Sequence, residues 1–190
     1  MTLFHILNSQ QWLEVGWRVS TVNMGEERVV FSLMGDRQSA YISFFNELQP
    51  KLQDIDGLTV KLANNPQGQS WICFEISSAE HPEKTWLNFV FARKSRFRLE
   101  LYIDFGERER NEYIFDNLHT CKAEIESKLG ERLSWERLES RRASRIALYY
   151  ENVSITSESE VLMHLQNWAV KMLPRFYRAI VVHFKTAIEI

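Results

Sequence analysis

The chain has 190 residues, a formal net charge of −2, 45% hydrophobic and 25% charged residues, which is ordinary usage for one globular domain and not for a disordered segment. Near-neutral charge excludes a globally basic nucleic-acid binder or an acidic mimic, so any polyanion site must be a local patch. Two cysteines, Cys73 and Cys121, are too few for a disulfide framework, and both sit in apolar periodic segments, where reduced core thiols are expected.

Met1–Gln10 lacks the basic start and long apolar run of a signal peptide. No stretch reaches the roughly 18 apolar residues of a membrane span, so a cytoplasmic protein with no membrane partner is expected. Residues 1–36 form a short N-terminal extension, in which Leu3, Leu7 and Trp12 suggest a brief helix or turn and Glu27–Met34 reads as one strand. Residues 37–190 form a single α+β domain.

Gly35-Asp36 breaks the chain before a helix. Tyr41, Phe44, Phe45, Leu48 and Leu52 follow one stripe of a 3.6-residue period, and Pro50 should end or kink it. Leu58, Val60 and Leu62 then alternate with polar residues, and Asn64–Gly68 is a turn cluster. Ile72, Phe74 and Ile76 form a second alternating run and Trp86–Phe91 a third. The clearest strand is Phe97–Phe105, whose odd positions are apolar and even positions Arg98, Glu100, Tyr102 and Asp104. Ala92–Arg96 reads as the hairpin loop before it.

Glu107–Leu129 carries the best helical stripe, with Ile114, Leu118, Cys121, Ile125 and Leu129, and Gly130 at the stop position. Two short strands follow, Leu133–Arg137 and Arg145–Tyr150. Ser157 and Glu160 have capping-box spacing ahead of a helix bearing Val161, Leu165, Trp168, Ala169 and Met172, and Pro174 should separate it from a second piece, Phe176–Phe184. The order is helix, strands, helix, two strands, helix. Strands in succession without crossovers imply an antiparallel sheet with helices packed mainly on one face.

No catalytic constellation stands out. His119 and Cys121 point about 200° apart on a helix, and His5, His81, His164 and His183 have no HxxxH or HExxH spacing, so no metal site and no cofactor are expected. There is no GxSxG elbow and no glycine-rich phosphate loop. A cryptic metal-dependent nuclease would need Asp104 at its strand end with Glu126 or Glu100. However, Glu126-x-Lys128 falls within a helix and Glu83-Lys84 in a loop, where ordinary surface charge pairs are the simpler reading.

Two arginine clusters offer planar forks for phosphate, Arg93, Lys94, Arg96 and Arg98 in one hairpin and Arg137, Arg141, Arg142 and Arg145 in the second strand pair. Trp135, Tyr102, Tyr149 and Tyr150 lie nearby in sequence and could stack on bases. Glu107, Glu109, Glu136 and Glu139 stand close enough to neutralise both clusters. Trp71 and Trp86 fall on the polar face of the sheet, as partner anchors or beneath a second helical layer.

Arg98-x-Glu100-Leu101-Tyr102-Ile103, Phe115-x-x-Leu118, Ile125-Glu126-x-x-x-Gly130, Trp135-Glu136-Arg137-Leu138 and Ala143-Ser144-Arg145-Ile146 occur in that order, between an upstream aromatic helix and a downstream helix bearing Trp168. Over residues 37–186 the chain resembles the domain of unknown function DUF4268. The resemblance implies Glu126, Trp135, Glu136, Arg137 and Arg145 as family-typical positions, which a structural ion pair between helix and strand would equally explain. It also implies bacterial or archaeal company with endonuclease-like domains, and so work near DNA, in restriction or phage defence. Residues 1–36 are too few for such a domain. The expectation is therefore a non-catalytic accessory or interaction domain, homo-oligomeric or bound to a protein partner, with direct nucleic-acid binding as the alternative.

Overall fold

The computed structural model describes the backbone of residues 25–189 and the side chains of residues 35–189. The helix or turn expected around Leu3, Leu7 and Trp12 lies outside the described residues. The elements are α1 (Gly25–Gln53), β1 (Thr59–Leu62), β2 (Trp71–Ser77), β3 (Thr85–Ala92), β4 (Arg96–Ile103), α2 (Arg108–Thr120), α3 (Lys122–Leu129), β5 (Ser134–Glu136), β6 (Ser144–Tyr150) and α4 (Ser159–Ile188). All neighbouring strands pair antiparallel, in the order β1-β2-β3-β4-β6-β5. The α+β class expected from the pattern is the one found. Among the described residues no helix is long and apolar enough to cross a membrane.

Period-2 alternation sorts the strands into two faces. Ile72, Phe74 and Ile76 of β2, Leu87, Phe89 and Phe91 of β3, Phe97, Leu99, Leu101 and Ile103 of β4, and Ile146 and Leu148 of β6 join the buried core cluster. The helices supply the other wall through Phe45, Leu48 and Leu52 of α1, Ile114 and Leu118 of α2, Ile125 and Leu129 of α3 and the long stripe of α4. α4 packs on each of the other three helices, while α1 also meets β1, and α2 meets β4 and β6. The helices therefore pack mainly on one face.

Four local expectations differ from the structure. The strand expected at Glu27–Met34 is instead the first part of α1, which runs through Gly35 and across the 36/37 boundary. Val30 and Met34 extend the period of Tyr41, Phe44 and Leu48, and one interior glycine costs only about 1 kcal/mol. The helix Glu107–Leu129 is two helices hinged at Cys121 (φ −95°, ψ 9°), whose N–H bonds to the Leu118 carbonyl three residues back. Pro174 does not divide the last helix. Its penalty of about 3 kcal/mol is outweighed by burial of Met172, Leu173, Phe176, Tyr177, Ile180 and Phe184, at about 1.5–3 kcal/mol for each large apolar side chain. The capping box does not form either: α4 has Glu158 at its N-cap, and Ser157 Oγ accepts from the Ser154 N–H.

Gly130 closes α3 as expected, with φ 76°, a left-handed conformation that favours glycine. The alternation read for Phe97–Phe105 holds to Ile103, after which Phe105 is exposed and lies beneath Arg110. Cys73 and Cys121 are free thiols and only half-buried.

Candidate functional site: the uncovered face of the sheet

The second face of the sheet carries the even positions of β4 and the odd positions of β2 and β6. Cross-strand register sets them in rows: Trp71 opposite Val90 and Val90 opposite Arg98, which faces Tyr149. In the next row Cys73 faces Asn88, Asn88 faces Glu100, and Glu100 faces Ala147. Arg145 lies between Tyr102 on β4 and Glu136 on β5. No described helix covers this face, and Trp71 and Trp86 are 44% and 50% exposed on it. The alternative of a second helical layer over these tryptophans is therefore not what the described residues form.

At the centre is a buried carboxylate. Glu100 is 3% exposed and accepts from Arg98 Nε, from Arg145 Nη1 at 3.4 Å and from Asn88 Nδ2 at 3.4 Å. Its partner across β4–β6 is Ala147, whose small side chain leaves room for both guanidinium groups. Arg145 also donates to Glu136, which accepts from Tyr149 Oη and Ser134 Oγ at 2.9 Å each. Burial works to raise the pKa of Glu136, but Arg145, Tyr149 and Ser134 outweigh it and hold the carboxyl below its ordinary value. Arg96 stacks on Tyr149, 4.3 Å from the ring centroid. Burial, and then the Glu100 charge, push the Cys73 thiol up to about 11.

This is a rigid, internally neutralised floor. Arg98, Arg145, Glu100 and Glu136 each have an opposite partner and each carboxylate several donors, the arrangement that makes buried ions tolerable, while Arg96 is held by the Tyr149 ring and the Arg93 carbonyl. Among the described residues no buried side-chain nitrogen or oxygen lacks a hydrogen-bond partner, and no three His, Cys, Asp or Glu side chains group as metal ligands.

The two arginine clusters do not form one surface. Arg96, Arg98 and Arg145 share the uncovered face, as the register requires. Arg93 and Lys94 sit in the β3–β4 turn at one end. Arg137 projects to the helix side, pairing with Asp116 and Glu112 of α2 and lying over Phe115. Arg142 forms a two-point pair with Asp104, at 2.8 and 3.2 Å, and Arg141 is exposed in the β5–β6 loop.

The residues of the nuclease alternative are also dispersed. Asp104 is engaged by Arg142 and the Gly106 N–H, and Glu100 by its two arginines. Glu126 lies on the helix side, where Oε1 accepts from the Leu133 N–H and the Trp135 indole at 3.0 Å each. The helix-to-strand ion pair considered for the family-typical residues is thus a carboxylate–indole bond at Glu126 and a strand-to-strand pair at Glu136–Arg145.

Sequence reasoning missed the fully buried Asn111. It accepts from the Phe105 N–H at 2.7 Å and donates to the Arg142 carbonyl at 3.0 Å, tying the start of α2 to the β5–β6 loop. Its one sequence signal was a polar residue at a core-facing position of a helical stripe.

The family model of a domain of unknown function, DUF4268, matches residues 40–183, well over half of the chain. No curated protein and no solved structure matches.

Proposed function

The chain belongs to the DUF4268 family, and on that premise we propose that it is a non-catalytic interaction domain whose uncovered sheet face receives a protein partner. The observation that carries this reading is the exposure of Trp71 and Trp86 on neighbouring strands of the uncovered face, beside the Glu100 network. Large aromatic side chains on a rigid base lose little conformational freedom on binding, and tryptophan is enriched among residues that dominate interface energy. Beside them on the same face, Arg98, Arg145 and Glu136 of β4, β6 and β5 are already held in place.

The partner is expected in a DNA-processing or defence assembly, as the family resemblance implies, with a second copy of the chain as the simplest case. The arginine clusters are not the basis of this reading. Carboxylates already engage Arg98, Arg137, Arg142 and Arg145, taking up the charge a phosphate would use.

The test is light scattering of the purified chain together with affinity capture from its native host, for wild type and for Trp71→Ser/Trp86→Ser. Self-association or a specific captured partner that the double variant loses while keeping its circular dichroism supports the reading. A wild-type monomer that captures nothing, or capture unchanged in the variant, overturns it.

A further inference from the structure

About half of the basic side chains of the described residues have a carboxylate or carbonyl beside them. Lys84 meets Glu75, Arg108 meets Glu112, and Lys185 meets Glu83, while Arg175 and Arg178 donate to the Leu129 and Asp56 carbonyls. Others, including Lys61, Arg110, Arg132 and Arg141, have none among the described residues, and Arg37, Arg93 and Lys94 stand out by lying together. None has a carboxylate partner among the described residues, and all three line one cavity of about 390 Å³ with Ser70, Ser95 and Ser154. Among the described residues no acidic one lines it.

Four separate parts of the fold build this cavity. Arg37 and Tyr41 come from α1, Ser70 from the loop before β2, Arg93–Ser95 from the β3–β4 turn, and Ser154 from the segment after β6. The turn is held in an uncommon form: Lys94 and Ser95 are consecutive non-glycine residues with φ 63° and 50°, and the Ser95 carbonyl accepts from the Val153 N–H at 2.8 Å. Two left-handed residues in succession are what a tight hairpin turn requires, and here they fix where the Lys94 side chain starts. At Gly68 a Cβ would stand 2.8 Å from Gln38 Cβ, so the β1–β2 loop presses against α1 and brings Ser70 to the side of Arg37.

Three like charges around one cavity repel one another and leave a local positive field with no counter-charge among the described residues. Two guanidinium forks and an ammonium group match the oxygens of a phosphate monoester. The cavity is of ligand size, and Tyr41, packed against Phe91 at 5.5 Å between centroids, supplies an aromatic wall for a base. We propose that this cavity binds a nucleotide phosphate, carried by a free mononucleotide or by the phosphorylated end of a nucleic-acid strand. The site opens on the helix side of the sheet's end and is independent of the partner reading above.

The experiment is calorimetric titration at low salt with inorganic phosphate, AMP, a 5′-phosphorylated eight-nucleotide DNA and its unphosphorylated twin. AMP or the phosphorylated DNA should bind, inorganic phosphate should compete, and the unphosphorylated twin should bind at least tenfold more weakly. Arg37→Ala and Arg93→Ala should each weaken binding about tenfold, the size of one lost charge-assisted contact. Lys94→Asn, which tolerates the left-handed turn, should weaken it as well, whereas Arg141→Ala should not. AMP displacing the phosphorylated DNA identifies a site open to the free nucleotide, while binding of the phosphorylated DNA alone identifies a strand-end site. Absence of binding by every probe, equal binding of the two DNAs, or full binding by a folded Arg37→Ala/Arg93→Ala variant overturns the proposal.

Discussion

Trp135 donates its indole N–H to Glu126 Oε1 at 3.0 Å, and the same oxygen accepts the Leu133 N–H at 3.0 Å. One carboxylate on α3 therefore holds the chain as it turns through Gly130 into the edge strand β5. The indole also meets Phe115 and His119 edge-on, at 6.0 and 5.3 Å between centroids. Glu126 and Trp135 thus both act on the α3–β5 junction.

Glu126→Ala should accordingly destabilise the fold. It leaves two N–H donors without their acceptor, at a cost of about 1–3 kcal/mol. For a chain of this size that lowers the thermal midpoint by about 2–4 °C per kcal/mol. Glu126→Gln keeps an acceptor and should lose less than half as much. Thermal unfolding followed by tryptophan fluorescence separates the two, and equal losses would show that charge rather than hydrogen bonding matters at this position.

Glu100 should be the most sensitive position on the uncovered face. Glu100→Ala leaves Arg98 and Arg145 facing each other without their shared carboxylate, and breaking such a buried set costs about 3–5 kcal/mol. Replacing Glu100, Arg98 and Arg145 together with methionine removes the charges as well as the bonds, and should cost much less than the single change. Urea unfolding of the wild type and the two variants tests this. A triple variant as unstable as Glu100→Ala would mean that the network contributes net stability beyond avoiding unpaired charge.

Acid should weaken the fold through identifiable carboxylates. The Arg142 hydrogen bond, against an opposing effect of burial, holds Asp104 below its ordinary value of 3.8. Burial opposes, yet Arg145, Tyr149 and Ser134 hold Glu136 below 4.5, and the Leu133 amide and Trp135 indole do the same for Glu126. A carboxyl whose folded pKa lies below its unfolded value binds fewer protons when folded. Its contribution is fully present above the unfolded value and is lost as pH falls through the folded one. Urea midpoints should stay level between about pH 5 and 7 and fall steadily below about pH 4.5. Arg145→Met should flatten the part of that fall due to Glu136, and an unchanged slope would assign the acid sensitivity elsewhere.

The elements most legible in the sequence were those whose pattern has one physical solution. Phe97–Ile103 alternates strictly, so one face had to enter the core, and Gly130 follows the last apolar position of a helical stripe. Glu27–Met34 contains Val29 and Val30 in a short apolar run that suits strand or helix equally, and its backbone continues the helix that carries the Tyr41–Leu52 stripe. Pro174 illustrates a local cost overridden by burial along α4. The arginine clusters were legible as composition but not as sites. Arg137 and Arg145 stand eight positions apart, but Arg137, just past the end of β5, turns to the helix side while Arg145 of β6 faces the other way. Arg37 and Arg93, far apart in sequence, meet in one cavity only because α1 crosses the end of the sheet.

Cys73 should react sluggishly with alkylating reagents in the native protein. It lies on the uncovered face, paired across the strands with Asn88 next to Glu100, and burial and then the Glu100 charge raise its pKa from 9.0 to about 11. At neutral pH that lowers the thiolate fraction by about 100-fold. A more basic thiolate is intrinsically more nucleophilic, with a Brønsted coefficient of about 0.4–0.5, which returns roughly tenfold of the loss. Native Cys73 should therefore react with iodoacetamide about tenfold more slowly than the same residue in urea, followed by peptide mass spectrometry in a Cys121→Ser background. Glu100→Gln removes the opposing charge and should raise the native rate while leaving the rate in urea unchanged. A Cys73 rate indifferent to Glu100 would show that burial alone protects the thiol.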